Sequence, residues 1–230
     1  MVPQADSSPS EAGNQVSGGP DLGPLARLIG TWEGHQGHDD SYVYARGKEH
    51  AHFRERAAFA PAGPAHNGAQ SLCRLDYRLV AWRLQEVEPF HVEVGYWYWD
   101  AEHGIVMRGL LTPRGIAVLA GGTARPEDTI IRVAATSESN TFGILSNPYL
   151  LDTARTTSFE VTLDLSEPDR YSYDEKTYMD HARLGGTYCH EVATRSRLSR
   201  GRRNSDLRRP SSVNDLGRRV LAPGARLPRR

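Results

Sequence analysis

The chain has 230 residues, enough for one domain with a substantial core or at most two small ones. Hydrophobic residues make up 38%, the mean hydropathy is -0.56, and no run approaches the ~20 apolar residues of a membrane helix, which excludes a helical membrane protein. The formal net charge of zero hides an asymmetry: residues 195–230 hold 12 Arg, no Lys and 2 Asp (+10), against 16 basic and 26 acidic side chains (−10) in the rest.

Residues 1–21 are rich in Ser, Pro, Gly and Gln and read as a disordered segment. They lack the basic stretch and apolar run of a secretory signal. Residues 22–29, LGPLARLI, read as one helical turn or a short helix. From Trp32 to about Leu198 the pattern is mostly strands. HVEVGYWYW (91–99) is rich in β-branched and aromatic residues. Its two alternating sets, His91, Glu93, Trp97 and Trp99 against Val92, Val94, Tyr96 and Tyr98, are both bulky, so one face is expected in the core and the other against a partner or a cap. GIAVLAGGTA (115–124) and TIIRVAATSE (129–138) are two further strands separated by a turn, and FEVTLDL (159–165) alternates strictly.

Turn signals recur about every ten residues, which points to an all-β antiparallel sandwich or barrel. About 160 residues in strands of that size give eight to ten strands, as in an up-and-down barrel able to enclose one small ligand. The domain is expected over residues 22–198, with 199–230 as an Arg-rich disordered tail. That tail could meet an anionic surface, but it has no aromatics for base stacking and no periodic apolar face, so no specific nucleic-acid partner is expected. Cys73 and Cys189 fit no zinc pattern and read as buried free thiols of a cytoplasmic protein.

Nine histidines are the candidates for chemistry. His35 and His38, with Asp39 and Asp40, form HQGHDD, which reads as a loop with metal-ligating residue types. His50 and His52 share one face of an extended strand and read as an exposed charged strand. His91 and Glu93 share a face and read as a structural buried pair. His66 and His103 fall in turns. His181 and His190 lie near the domain's end, and His190 follows Tyr188 and Cys189, so its surroundings look partly apolar, as a haem iron's proximal imidazole requires. Neither a GxSxG motif nor a phosphate loop is found, and GGTARPEDT is not a nucleotide fingerprint.

Four segments in order resemble the nitrobindin family of haem-binding β-barrels, with outlines like lipocalins and fatty-acid-binding proteins. LARLIGTWEGHQG (25–37) is similar to its opening LxxLxGxWxGxG, with Gly30, Trp32 and Gly34 matching and Gly37 one place late. FHVEVGYWYWDAEHG (90–104) matches a central hairpin at His91, Glu93, Gly95 and Gly104, and residues 108–123 and 158–179 resemble later hairpins. The resemblance covers about residues 22–191.

It implies a ten-stranded barrel closed at one end by a short helix, with Trp32 as a structural plug. It implies haem b at the open end, iron-bound by His190, with His181 in reserve, and an apolar distal side without histidine or arginine. The activity implied is binding of NO and isomerisation of peroxynitrite to nitrate. The alternative is a haem-free carrier of a small apolar ligand, and a third reading is a decayed site whose basic tail meets an anionic partner. A homodimer is left open as a partner. Past Glu191 the resemblance ends in VATRSRLSRGRRNSDLRR, and Arg outnumbers Lys 26 to 2 overall. A shifted reading frame would account for this, and it predicts a compromised last strand and an open barrel edge.

Overall fold

The computed structural model describes residues 21–43 and 47–198; the expected disordered segments, 1–21 but for Asp21 and 199–230, fall outside them. A short 3-10 helix, Gly23–Leu28, is followed by β1 (Gly30–Val43), β2 (Gly47–Asn67), β3 (Gln70–Arg83), β4 (His91–Asp100), β5 (Ile105–Thr112), β6 (Ile116–Thr123), β7 (Ile130–Thr136), β8 (Ile144–Ser146), helix α1 (Pro148–Thr153), β9 (Ala154–Asp164), β10 (Arg170–His181) and β11 (Gly186–Leu198).

Neighbouring strands are antiparallel and nearly always consecutive, because each hairpin turn returns the chain beside itself. Ten strands form a closed ring: β6 returns to β5, β7 bridges β6 to β9, and β11 pairs with β1. The three-residue β8 adds to β6 at its start. Closure leaves no long edge for another chain to pair with. The expected antiparallel barrel is therefore what the chain forms.

Period-two alternation decides which side chains fill the lumen. On β7, Ile131, Val133 and Ala135 are buried, and on β9, Phe159, Val161 and Leu163 are buried. On β4 the inner set is His91, Glu93, Trp97 and Trp99; of the outer set, Val94 is 41% exposed and Tyr96 44%. No described residue caps that outer face, and it continues as Leu111 and Leu119 on β5 and β6.

The 3-10 helix plugs one end. Leu25 and Leu28 are fully buried, and the Trp32 indole donates to the Leu28 carbonyl at 2.8 Å while packing edge-to-face on Tyr171 at 5.2 Å between centroids. Gly30, at φ +135°, makes the turn from helix to strand that an L side chain resists. The opposite end carries the β1–β2, β3–β4, β5–β6 and β10–β11 turns.

Three expectations need correction. The last strand is not compromised: Gly186–Leu198 pairs along β10 from Gly186 to Arg197 and along β1, so the barrel closes. The reason is alternation: Val192, Thr194, Ser196 and Leu198 face inward, while Ala193, Arg195 and Arg197 face out, a sequence that suits a strand whatever its origin. HQGHDD is not a loop but lies inside β1. The two cysteines are free but only half-buried.

Trp32→Ala is expected to cost about 3–5 kcal/mol, since it removes a fully buried indole and its hydrogen bond together. Urea unfolding of the variant measures it, and a loss below about 1 kcal/mol would remove Trp32 from the plug.

Candidate functional site

Toward the open end, inward positions of seven strands surround a small cavity of about 50 Å³, with Arg108 of β5 and Tyr173 and Glu175 of β10 among them. β1 contributes Asp39, β2 Phe53, β3 Leu79 and Ala81, β4 His91 and Glu93, and β11 His190. The register explains the central contact. Asp39 lies opposite Val192 across the β1–β11 seam, so Asp39 and His190 both project inward one pleat apart.

His190 Nε2 bonds Asp39 Oδ1 at 2.5 Å, and Arg83 Nη2 donates to Asp39 Oδ2 at 2.6 Å. The Asp39 side chain is only 2% exposed, against 30% for His190. Burial pushes the Asp39 carboxyl up, but the hydrogen bond and charge of His190, followed by Arg83, outweigh it and hold the group at about 2. The Arg83 guanidinium lies over the Phe90 ring, 3.9 Å from its centroid, and Phe90 packs on Phe53. An imidazole held through one nitrogen by a carboxylate has its ring orientation fixed and its other nitrogen made more basic, which suits a metal ligand.

The floor of the cavity is charged. Arg108 is 5% exposed; it donates to Glu93, to Glu175 at 3.0 Å and to the Tyr77 hydroxyl at 3.2 Å. The rings of Tyr77, Trp97 and Phe159 lie within 5.7 Å of its guanidinium carbon. Burial works to raise the Glu93 carboxyl, and Arg108 and His91 reverse that and hold it well below the usual range. Deeper still, Glu55 accepts from Tyr171 at 3.0 Å, Tyr173 at 2.8 Å and Ser196 at 2.8 Å, and there burial wins and raises its carboxyl.

The structure brings together some of the expected residues and separates others. His190 is on the inner wall, bonded to Asp39, and its partly apolar surroundings come from Phe53, Phe90 and Val192, since alternation sends Cys189 outward. Arg83 stands on the His190 side of the site, on Asp39. His181 is also inward, at the rim, with its ring 4.7 Å from Tyr42. It pairs with Gly186 while Thr177 pairs with His190, four residues or about 13 Å along the strand, too far for both to face one metal from one side. Gly34 and Gly37 face inward, and a Cβ at Gly37 would stand 2.4 Å from the Phe53 ring. His91 meets Glu93 at 3.5 Å, but only Glu93 is buried, since the His91 side chain is 38% exposed; His66 and His103 are exposed. Of HQGHDD, Asp39 faces the lumen while His38 and Asp40 face out, so that set cannot converge on one ion.

Sequence reasoning missed Asp39, Arg83 and Arg108 as site residues. For Arg108 a signal existed: an arginine between Val106 and Leu110 on an apolar alternating face must find carboxylates there.

The family model of the THAP4-like, heme-binding beta-barrel domain matches residues 21–188. The match stops two residues short of His190. No curated protein matches the chain. Among solved structures, Rv2717c from M. tuberculosis superposes with TM-score 0.56 at 22% identity, over 79% of this chain and 99% of that one. That likeness shows the fold. The S-type phycobiliprotein lyase CPES from Guillardia theta gives TM-score 0.38 at 13% identity, over 77% and 92% of the two chains, too weak to carry an argument.

Glu93→Gln should destabilise the barrel by about 3–5 kcal/mol at pH 7, because it leaves Arg108 partly uncompensated in the core. Since the folded carboxyl titrates below its ordinary value of 4.5, the Glu93 contribution is fully present above that value. It fades as the pH falls below it, so wild type and variant should converge in acid urea titrations. A gap that widens toward low pH would reverse the assignment.

Proposed function

The chain belongs to the THAP4-like, heme-binding β-barrel domain family, and from that premise we propose that it holds haem b at the barrel's open end through His190 and acts there on NO or peroxynitrite. The observation that carries the reading is the donor set. His190 is an inward, half-buried imidazole oriented by a carboxylate, with the Arg83 cation beside it. Arg83 Nη1, Thr112 Oγ1 and His181 Nδ1, all toward the same end, are buried without a hydrogen-bond partner among the described residues. Unsatisfied buried polar atoms are costly and ask for a ligand. A porphyrin bears two carboxylates, which suit an arginine and an imidazole.

The residues fit the group in kind, and they also limit it. The space beneath His190, about 50 Å³, is far below the ~300 Å³ of a typical small-molecule pocket. The charged floor of Arg108, Glu93 and Glu175 closes it further, which leaves the mouth as the place for haem.

When bound, ferric haem supplies an iron able to take up small nitrogen oxides and to convert peroxynitrite to nitrate. The chain's residues do the rest. Asp39 fixes the tautomer and orientation of His190, Arg83 keeps Asp39 ionised and in place, and Phe53 and Phe90 wall the site against water. Arg83 also keeps a positive charge near the mouth, which favours approach of an anion such as peroxynitrite.

The haem-free carrier of an apolar ligand is less well supported, because a lumen holding Arg108, Glu93, Glu175 and Glu55 is a poor solvent for an acyl chain. No helix of the described residues is long and apolar enough to cross a membrane, and a cytoplasmic location stays part of the proposal. A second copy, if one binds, would find its apolar contact on Val94, Tyr96, Leu111 and Leu119.

Hemin titration of the purified chain should give a Soret band at one equivalent. His190→Ala should abolish the histidine-ligated spectrum while His181→Ala keeps it, and Asp39→Asn should weaken hemin affinity about 10–100-fold. Nitrate yield from peroxynitrite should rise only with loaded wild type. An unchanged spectrum in His190→Ala would sink the assignment, and a lipid copurifying in native mass spectra with no Soret band would favour the carrier.

A further inference from the structure

The outer wall of β1 and β2 carries a second group of histidines that the haem site does not use. His38 lies directly opposite His52, and Asp40 directly opposite His50, in the β1–β2 register. All four point away from the lumen, because the residues between them, Asp39 on β1 and Phe53 beyond His52 on β2, point into it. His38, His50 and His52 are exposed, and Asp40 is half-exposed. The His38 and His50 rings stand 6.1 Å apart between centroids and lie at 27° to each other; those of His50 and His52 stand 5.5 Å apart. Asp40 Oδ1 accepts from His50 Nδ1, the tautomer that leaves the Nε2 lone pair of this exposed ring free for a ligand.

These spacings suit one metal ion. With a metal–nitrogen bond of about 2.0–2.1 Å, each ring centre lies about 3.2 Å from the ion, so two imidazoles on one ion have centroids no more than about 6.4 Å apart. Both ring separations fall inside that limit, and bringing them to the ~5.2 Å of tetrahedral ligands takes a small turn of the rings. The two-residue step between His50 and His52 and the cross-strand step to His38 place three side chains on one patch of a pleated sheet. Among the described residues no three His, Cys, Asp or Glu side chains are already converged on a point, and the remaining step here is rotation of exposed rings about χ1 and χ2, which needs no backbone movement.

We propose that His38, His50 and His52 form a three-imidazole site for a divalent transition-metal ion, Cu²⁺ or Zn²⁺, with Asp40 orienting His50 from behind. Imidazole suits both ions, and Cu²⁺ stands highest in the affinity order of divalent first-row metals. The carboxylate–histidine–metal relay is the usual support of such a ligand. The fourth position stays open on the solvent side. His38 also borders a cavity of about 320 Å³ lined in part by Gln36, Ser172, Asp174 and Arg195, where β1 and β11 are unpaired between Glu33 and His38. A small ligand of the bound ion would have room there.

The test is calorimetric titration of the hemin-free full chain with Cu²⁺ and with Zn²⁺, alongside Cu²⁺ electron paramagnetic resonance. One equivalent should bind, with nitrogen couplings from imidazole. His38→Gln, His50→Gln and His52→Gln should each weaken binding at least tenfold and reduce the nitrogen couplings, and Asp40→Asn should weaken it about tenfold. His103→Gln and His190→Ala should leave it unchanged. Far-ultraviolet circular dichroism confirms that each exposed-site variant keeps the barrel. Absence of stoichiometric binding, full affinity in His38→Gln together with His52→Gln, or loss of the ion in His190→Ala would each overturn the site.

Discussion

The hydrogen-bonded seam between β1 and β11 is the constraint on which the rest depends. It joins the two ends of the sheet, so every long described strand has a partner on both sides. It also sets Asp39 beside His190, two residues 151 positions apart in sequence. Without that seam His190 would sit on a free edge strand, with neither a carboxylate to hold its ring nor a wall of Phe53 and Phe90 facing it. Closure of the fold and assembly of the site are thus one event.

A ring of ten strands has a lumen to fill, and this chain fills it in two layers. The plugged end is apolar and aromatic: Leu25, Leu28, Trp32, Trp99 and Tyr171 bury large surfaces there. The middle and open parts are charged. Arg108 is shared between two carboxylates and ringed by aromatics, and Glu55 takes three hydroxyl donors. Such a network stabilises only when every member is satisfied, and then it holds a fixed geometry. Its effect on function is to raise a rigid polar floor under His190, so that a ligand must occupy the mouth rather than sink into the barrel. Of the buried polar atoms without partners among the described residues, Arg83 Nη1, Thr112 Oγ1 and His181 Nδ1 lie toward that mouth, while Trp99 Nε1 lies at the plugged end.

The same alternation that builds the inner site produces the outer one. Along β1, Asp39 turns inward to His190, while His38 and Asp40 turn outward to His52 and His50. A short histidine-rich stretch therefore serves two faces of one wall. This is why HQGHDD cannot act as a single cluster, and why its members find partners on other strands instead.

Much of the fold was legible in the sequence. Strict alternation in FEVTLDL, the β-rich run TIIRVAATSE, turn residues at regular spacing and the LARLIGTW opening specify strands, hairpins and a capping turn, because period two and turn chemistry are local properties of the chain. His190 could be named by resemblance, since it lies in a recognisable stretch of sequence. Its environment could not. Cys189 and Tyr188 suggested partly apolar surroundings, yet alternation sends Cys189 outward, and the groups that face His190, Asp39, Phe53 and Phe90, arrive from β1, β2 and the segment before β4. The last strand was expected to be compromised because the resemblance fails past Glu191, but the register shows Arg195 and Arg197 on the solvent face and Thr194 and Ser196 within. Local pattern settled most of the strands and which way their side chains face, although HQGHDD and His66, read as loop and turn, lie within β1 and β2. Only closure of the sheet settled which of those faces meet, because contacts between β1, β3 and β11 depend on shear and register around the whole ring, and no short stretch of sequence carries that information.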